Sequence, residues 1–413
     1  MSPRTNYDVL KNSVKTRFGK PLNSVKSFEE LAIEVKVSSQ TLRRFFGKID
    51  KDKAVSYTTL SQIAKYVGFR DWDDFLETSQ AGKIDEKDRI LIEGMSPFFI
   101  NGEKYNLDYE QDTLAADTLN DYARIIYKNR ENVEYFYKKY YKNNWATDYI
   151  LAWLPNYSYF GQNWFRAILK DKAKRTKVSH VRLSQSNFLV FGSWLTGDTV
   201  EFFQDVNQVR DFYKTYQNDF PYMPYHEMRF CTIQMIDAKR KNDEESLFKV
   251  LHEYLINLKK QNFTKLHQQE MIIFLANTLL WLQEYEAAAS LLNEVKSFIE
   301  EFPASLNIDN PFHYFGINMA FVKTTFAMAS IAANEKNTEE FELTKREFSD
   351  PTGILYNSYI RVMYLAKCIL AENGITHKRK IFSELKTLVN ETRYFRIYSV
   401  LEDLDPLFSK YVQ

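Results

Sequence analysis

Hydrophobic residues recur at helical spacing through the first 80 residues of the chain and predict a series of short amphipathic helices. The inward positions of the first three helices are Tyr7, Leu10, Val14 and Phe18; Phe28, Leu31, Ala32 and Val35; and Leu42 with Phe45 or Phe46. Ser38 is a favourable N-cap for the third helix. The second and third helices are therefore predicted to be joined by a tight turn.

The third helix has a polar outward face. Ser39, Gln40, Arg43 and Arg44 lie opposite its apolar positions. Gln can pair with the N6 and N7 of adenine, and Arg can pair with the O6 and N7 of guanine, in the major groove of DNA. Side chains of these types on an exposed helix face are typical of a helix that reads bases.

The run LAIEVKVSSQTLRRFFG, followed by SYTTLSQIAKYVGFRDWDDFL, resembles the lambda-repressor-like (XRE-type) helix-turn-helix domain. By that resemblance Ser39, Gln40 and Arg44 are aimed at base edges. Lys36 stands where the turn of this family usually has Gly, so it must adopt a left-handed conformation. Phe28 stands where the first helix of the motif often begins with Gln, which removes one usual phosphate contact.

Charge is unevenly distributed along the chain. The whole chain has a formal net charge of +1, but residues 1–70 hold 14 Lys and Arg against 6 Asp and Glu, so the remainder carries about −7. A basic N-terminal region favours a polyanionic partner. The cations that could contact phosphates are Lys11, Lys15, Arg17, Lys20, Lys48, Lys51 and Lys53, and Lys36 is a further candidate DNA-binding residue. The other interpretation is a helical hairpin that only packs or dimerises.

Composition indicates an all-α protein. Only 12 Gly and 10 Pro occur in 413 residues, which leaves few of the frequent tight turns that an all-β protein needs. We predict three parts: a helix-turn-helix DNA-binding domain in 1–80, an aromatic-rich helical domain in 81–220, and tetratricopeptide-like (TPR-like) helical repeats in 221–413. The two cysteines lie far apart, and no signal peptide or membrane span is evident, so we expect a cytoplasmic protein without a membrane partner.

Aromatic residues are concentrated between residues 135 and 165, where 13 occur. Tyr137, Tyr141, Trp145, Tyr149 and Trp153 recur every fourth residue and predict a winding stripe on one helix. The stripe is interpreted either as a ridge buried between helices or as a stacking platform for nucleic acid or a peptide. The basic run 170–177 predicts a solvated loop or a second phosphate-binding patch.

Helical pairs recur at intervals of about 42 to 44 residues beyond residue 220, with predicted starts near His226, Gln269, Pro311 and Leu355. This period and the small Ala276 and Ala288 resemble a tetratricopeptide repeat, so we predict a solenoid with a concave wall. The residues expected on that wall, as candidate effector-binding residues, are Asn277, Trp281, His313, Asn318 and Tyr359.

Catalytic motifs are absent from the sequence, and the six histidines have no metal-ligand spacing. We therefore expect no enzyme activity, no cofactor and no metal. The favoured hypothesis is a transcription regulator that binds double-stranded DNA, acts as a homodimer, and senses a peptide, protein or small-molecule effector through its helical body. The alternative is a non-catalytic interaction scaffold whose helix-turn-helix no longer binds DNA.

Overall fold

The computed structural model describes residues 3–49, 55–69, 71–72, 75, 84–105, 113–219, 224–261, 265–297, 319–333 and 357–412. All regular structure in these ranges is helical, which confirms the predicted all-α class. Packing divides the chain into unit 1, Met1–Ile84, and unit 2, Asp85–Gln413. The predicted boundary after residue 220 stays a prediction, although helices on its two sides pack together.

Unit 1 contains four described helices. They are α1 (Pro3–Phe18), α2 (Val25–Val35), α3 (Ser39–Phe45) and α4 (Tyr57–Tyr66). Serine side chains cap the N-termini of three of these helices. Ser24 accepts from the Ser27 amide at 3.2 Å, Ser38 from the Thr41 amide at 3.1 Å, and Ser56 from the Thr59 amide at 3.3 Å. The predicted cap at Ser38 is therefore confirmed.

One apolar cluster holds unit 1 together. It draws residues from all four helices and from the segment that follows them, among them Leu10, Leu31, Leu42, Ile63 and Trp72. Because α3 has only seven residues, it cannot be stable without this packing and its cap.

Unit 2 is built of helices that follow one another with short connections. Its first half contains α5 (Glu86–Gly94), α6 (Ser96–Tyr105), α7 (Thr113–Ile126), α8 (Arg130–Tyr140), α9 (Asn144–Asp148), a π-helical turn (Tyr149–Trp153), a 3-10 turn (Tyr157–Tyr159), α10 (Asn163–Arg175), α11 (Ser179–Thr196) and α12 (Thr199–Asp219). Its second half contains α13 (Pro224–Arg240), α14 (Glu244–Lys260), α15 (Lys265–Trp281), α16 (Tyr285–Glu294), α17 (Met319–Ala332), α18 (Asn357–Ala371), α19 (Ile375–Thr392), α20 (Arg396–Leu404) and α21 (Phe408–Tyr411).

Helix α11 is buried on nearly all sides. Fifteen of its 18 residues are buried, and they include a polar run of four, Ser184 to Asn187. Helices α10, α12, α13 and α20 pack against it. A helix that is buried all round needs neighbours on every face, and the two halves of unit 2 supply them.

The segment from Tyr157 to Gln162 joins the early and late parts of unit 2. The Ser358 amide donates to the Ser158 hydroxyl at 3.1 Å, and the Tyr394 hydroxyl donates to the Tyr157 carbonyl. A Cβ on Gly192 would overlap the Phe160 carbonyl oxygen, so α11 approaches this segment more closely than any other residue would allow.

The predicted aromatic stripe does not form on one helix. Helix α8 ends at Tyr140, and Asn143 caps a new helix by accepting from the Ala146 amide at 2.7 Å. Trp145 is buried against Phe98, 5.4 Å between ring centroids. The side-chain cap interrupts the helix that the four-residue spacing predicted. The five aromatic residues are divided among α8, the residue after it, α9 and the π-helical turn.

The basic run 170–177 does not form the solvated loop that one interpretation predicted. Its first six residues are the end of α10. The Lys172 side chain is 1% exposed, lies 2.5 Å from an Asp148 oxygen, and donates to the Thr147 hydroxyl at 2.7 Å. A lysine paired in this way is a structural group, since its charge is compensated inside the protein.

Helices beyond residue 220 pack as successive pairs. Helix α13 pairs with α14, α15 with α16, and α18 with α19, while α13, α15, α17 and α18 contact in sequence. Helices begin at Pro224 and Lys265, near the predicted starts at His226 and Gln269, whereas Pro311 and Leu355 lie outside the described residues. The TPR-like repeat itself stays a prediction.

A buried carboxyl group lies between α13 and α15. The Tyr225 hydroxyl donates to Glu270 at 2.7 Å, and Glu270 is fully buried. Burial raises the pKa of Glu270 to about 8, so this carboxyl group is protonated in the folded protein at neutral pH.

We expect Gly192→Ala to lower the free energy of unfolding by about 1–3 kcal/mol, because the new methyl group must displace the backbone at Phe160. Urea unfolding followed by circular dichroism measures the change. The control is Gly94→Ala, where no atom lies within 4 Å of the added Cβ and helix propensity favours Ala. Equal stability of Gly192→Ala and the wild type would contradict the close approach.

We expect Glu270→Gln to remove a pH dependence of stability. The pKa of Glu270 is 4.5 in the unfolded chain and about 8 in the folded protein. The protonated carboxyl group therefore favours the folded state fully below pH 4.5, and this stabilisation is lost as the pH rises to about 8. The wild type should therefore lose up to about 1.4 kcal/mol per pH unit across this window relative to Glu270→Gln. Denaturant unfolding between pH 5 and 8 tests this, with the exposed Glu286→Gln as the control. Parallel pH profiles for wild type and Glu270→Gln would refute it.

Candidate functional site

The turn between α2 and α3 consists of Lys36, Val37 and Ser38. Lys36 adopts the left-handed conformation, with φ 59° and ψ 41°, and its amide donates to the Ala32 carbonyl and so closes α2. The Val37 amide donates to the same carbonyl at 3.3 Å. The left-handed conformation predicted for Lys36 is confirmed, and the chain changes direction within three residues.

Helix α3 has one buried face and one polar face. Leu42 and Phe45 are buried, and the Phe45 and Phe46 rings meet edge to face at 5.2 Å. Gln40 is exposed on the opposite face. The buried residues fix the rotation of α3, and they leave its outward positions accessible.

The arginines of α3 are half-buried along their length. Arg43 and Arg44 keep part of their side chains in solvent, as does Ser39. The Nε of Arg44 is buried and has no hydrogen-bond partner among the described residues. That nitrogen lies inside unit 1, so only the exposed end of the Arg44 side chain is available to an external acceptor.

Positive charge is uninterrupted around α3. Residues 35–49 include four cations, Lys36, Arg43, Arg44 and Lys48, and no acidic residue. Lys36 and Lys48 are both exposed, one in the turn before α3 and the other beyond its end. Their placement at the two ends of α3 suits contacts with phosphates on either side of a groove.

The other predicted phosphate contacts differ in availability. Lys15 is exposed, and the guanidinium of the exposed Arg17 lies 5.2 Å from the Tyr66 ring centroid. Lys20 pairs with Glu30 at 2.8 Å, a hydrogen bond that raises the pKa of Lys20 and lowers that of Glu30. Lys11 is half-buried and lies 3.4 Å from Asp8. Lys51 and Lys53 lie outside the described residues.

The candidate effector residues are not on an open wall. Asn277, Trp281 and Tyr359 are each at most 3% exposed. The Tyr359 hydroxyl donates to the Asn277 carbonyl oxygen at 2.7 Å, and the Asn277 amide donates to the Thr325 hydroxyl at 3.0 Å. The predicted exposed groove is wrong for these three residues, because α15, α17 and α18 pack together around them. His313 and Asn318 lie outside the described residues.

Asn277 and Tyr359 instead line a partly open cavity of about 40 Å³. Its aromatic walls are Tyr157, Phe188, Phe191, Phe274, Phe321 and Tyr359. Asn187 and Arg229 also line it, and neither residue was predicted from the sequence. The available signal for Asn187 was the polar run Ser184 to Asn187 directly before the apolar run Phe188 to Phe191.

Comparison with known proteins identifies no relative: no protein-family model, curated protein or solved structure matches this chain. Within the described residues, no three His, Cys, Asp or Glu side chains are grouped so that they could hold a metal ion. No described helix combines the length and apolarity needed to cross a membrane. The candidate function therefore depends on the geometry of the two units themselves.

We expect Lys36→Gly to stabilise α2 and α3 relative to Lys36→Ala by about 1 kcal/mol, because only glycine adopts the left-handed conformation without a Cβ clash. Both variants lose the same charge, so any difference between them reports on the backbone conformation. Amide hydrogen exchange of residues 25–45 measures this difference. Equal protection in the two variants would show that the turn is not strained.

Proposed function

We propose that the chain is a DNA-binding transcription regulator. Unit 1 binds double-stranded DNA, with α3 in the major groove and Ser39, Gln40, Arg43 and Arg44 facing the bases. Lys36 and Lys48 contact the phosphates. Such an arrangement separates residues that read sequence from residues that set position and affinity.

The observation that carries the proposal is the polar face of α3. A seven-residue helix is held by a serine cap and by two buried side chains, while Gln40 is exposed and no acidic residue occurs from 35 to 49. A helix that served only in packing would have no need of four cations in this short stretch. Cations held around an exposed Gln favour a nucleic-acid surface.

Unit 2 is proposed to act as the regulatory body in the cytoplasm. Its successive helix pairs support a TPR-like repeat, which would dimerise the molecule and respond to a peptide, protein or small-molecule effector. A homodimer would place two copies of α3 on a two-fold DNA site.

A second candidate is an interaction scaffold without DNA binding. The observation that favours it is Ile33, which is 80% exposed on α2. An exposed apolar side chain next to the turn suits a protein surface better than a phosphate backbone. DNA titration separates the two candidates.

We expect Arg44→Ala to weaken binding to the preferred sequence by about 1–3 kcal/mol and to relax the preference at one base pair. Lys48→Ala should weaken binding to all sequences alike and reduce the slope of log affinity against log salt by about 1, since one phosphate contact is lost. A randomised duplex library followed by fluorescence titration at several salt concentrations provides both measurements.

The control for both variants is Lys138→Ala, which removes an exposed cation from α8 of unit 2. It should leave sequence preference and salt slope unchanged. If wild-type protein has no salt-dependent affinity for any duplex, the regulator proposal is wrong and the scaffold stands. If Arg44→Ala and Lys48→Ala change affinity identically on every sequence, α3 does not read bases.

A further inference from the structure

Two of the side chains that line the cavity in unit 2 have polar atoms without a hydrogen-bond partner among the described residues. Asn187, on the buried helix α11, is 1% exposed, and neither its Oδ1 nor its Nδ2 has a hydrogen-bond partner in the described part of the chain. Buried amides are normally hydrogen-bonded, because an unpaired donor or acceptor costs about 1–3 kcal/mol. Asn187 therefore presents one donor and one acceptor to whatever occupies the cavity.

Arg229, on α13, brings a buried positive charge to the same cavity. It is 7% exposed, and its guanidinium lies 4.7 Å from the Phe188 ring centroid. One nitrogen donates to the Ala152 carbonyl at 3.3 Å, while Nε has no partner. No carboxylate of the described residues forms an ion pair with it. A buried charge without a counter-ion is costly, which favours an anionic occupant.

His226, three residues before Arg229 on α13, does not add a second positive charge beside it. Burial, and after it the positive charge of Arg229, hold the pKa of His226 well below its usual value. The Nδ1 of His226 is 2.9 Å from the Ser184 hydroxyl. His226 is therefore neutral and already hydrogen-bonded within the protein.

We propose that this cavity binds a small 2-hydroxycarboxylate. The carboxylate accepts from Arg229 Nε and from the Asn187 amide, and the ligand hydroxyl donates to the Asn187 carbonyl oxygen. An ammonium group in place of the hydroxyl would set a second cation beside Arg229, so an amino acid fits less well. The aromatic walls accommodate the rest of the ligand.

The cavity volume limits the ligand to the smallest members of this class. A water molecule needs about 10–15 Å³ of such volume, so about 40 Å³ holds about three water-sized groups. Glycolate and lactate are the probes of matching chemistry. The role of the ligand as an effector rests on the proposed function. Its binding, in contrast, is a property of unit 2 and is measured without DNA.

The experiment is a thermal unfolding and calorimetric titration of the full chain, free of DNA, with glycolate, lactate and acetate. We expect glycolate or lactate to raise the melting temperature at millimolar concentration, because a ligand that binds only the folded state stabilises it. Acetate lacks the hydroxyl and should bind at least tenfold more weakly. No response to either hydroxy acid would overturn the proposal.

Two variants locate the site. Asn187→Leu and Arg229→Met keep the approximate side-chain shape and remove the polar groups, and each should lower the affinity at least tenfold. Gln185→Met is the matched control: Gln185 is also on α11, fully buried and without a partner for either amide atom, but it does not line the cavity. It should bind the hydroxy acids like the wild type.

Loss of fold is separated from loss of binding in the same data. Replacing an unpartnered buried amide by an apolar group of similar shape is expected to maintain or raise the melting temperature of the unliganded protein. An Asn187→Leu variant that responds to ligand like the wild type would overturn the proposal. Hydroxy-acid binding without any DNA affinity would refute the proposed function and leave the site, whereas DNA affinity without ligand binding would do the reverse.

Discussion

The burial of α11 on all sides is the constraint on which unit 2 depends. A helix without a solvent face cannot be placed at the edge of a fold, so the helices before and after it in sequence must surround it. Its Gly192 also requires the backbone at Phe160 to lie against it. Two of the polar residues that α11 brings into the interior have identified surroundings: Ser184 lies beside His226, and Asn187 lines the cavity.

Unit 1 combines a strained residue, Lys36, with a short connection between α2 and α3. The left-handed Lys36 costs free energy that a glycine would not, but it lets α3 begin with only three residues between it and α2. Keeping a cation in that position makes sense where the turn itself meets a polyanion, since Lys36 then contributes charge as well as geometry. The same reasoning connects the turn with the exposed Lys48 at the other end of α3.

Features set by neighbouring residues could be predicted from the sequence, and features set by distant contacts could not. The cap at Ser38 and the conformation of Lys36 follow from a few adjacent residues, and both are confirmed. The prediction of a single aromatic stripe was wrong because the Asn143 side chain caps a new helix within it, and the four-residue period does not take this cap into account. Asn187 and Arg229 are 42 positions apart in the sequence, so only the folded chain shows that they share a cavity.

The contacts of Tyr157 and Ser158 with Tyr394 and Ser358 have a consequence for the order in which the chain folds. These partners are about 200 residues or more apart in sequence, so unit 2 closes a very long loop before its core is complete. During synthesis, which exposes the N-terminal part first, unit 1 has all its core residues at an early stage. Unit 2 must wait for residues near 394 to leave the ribosome. Until then α11 lacks the cover of α20, so part of its apolar surface stays open to chaperone binding and aggregation.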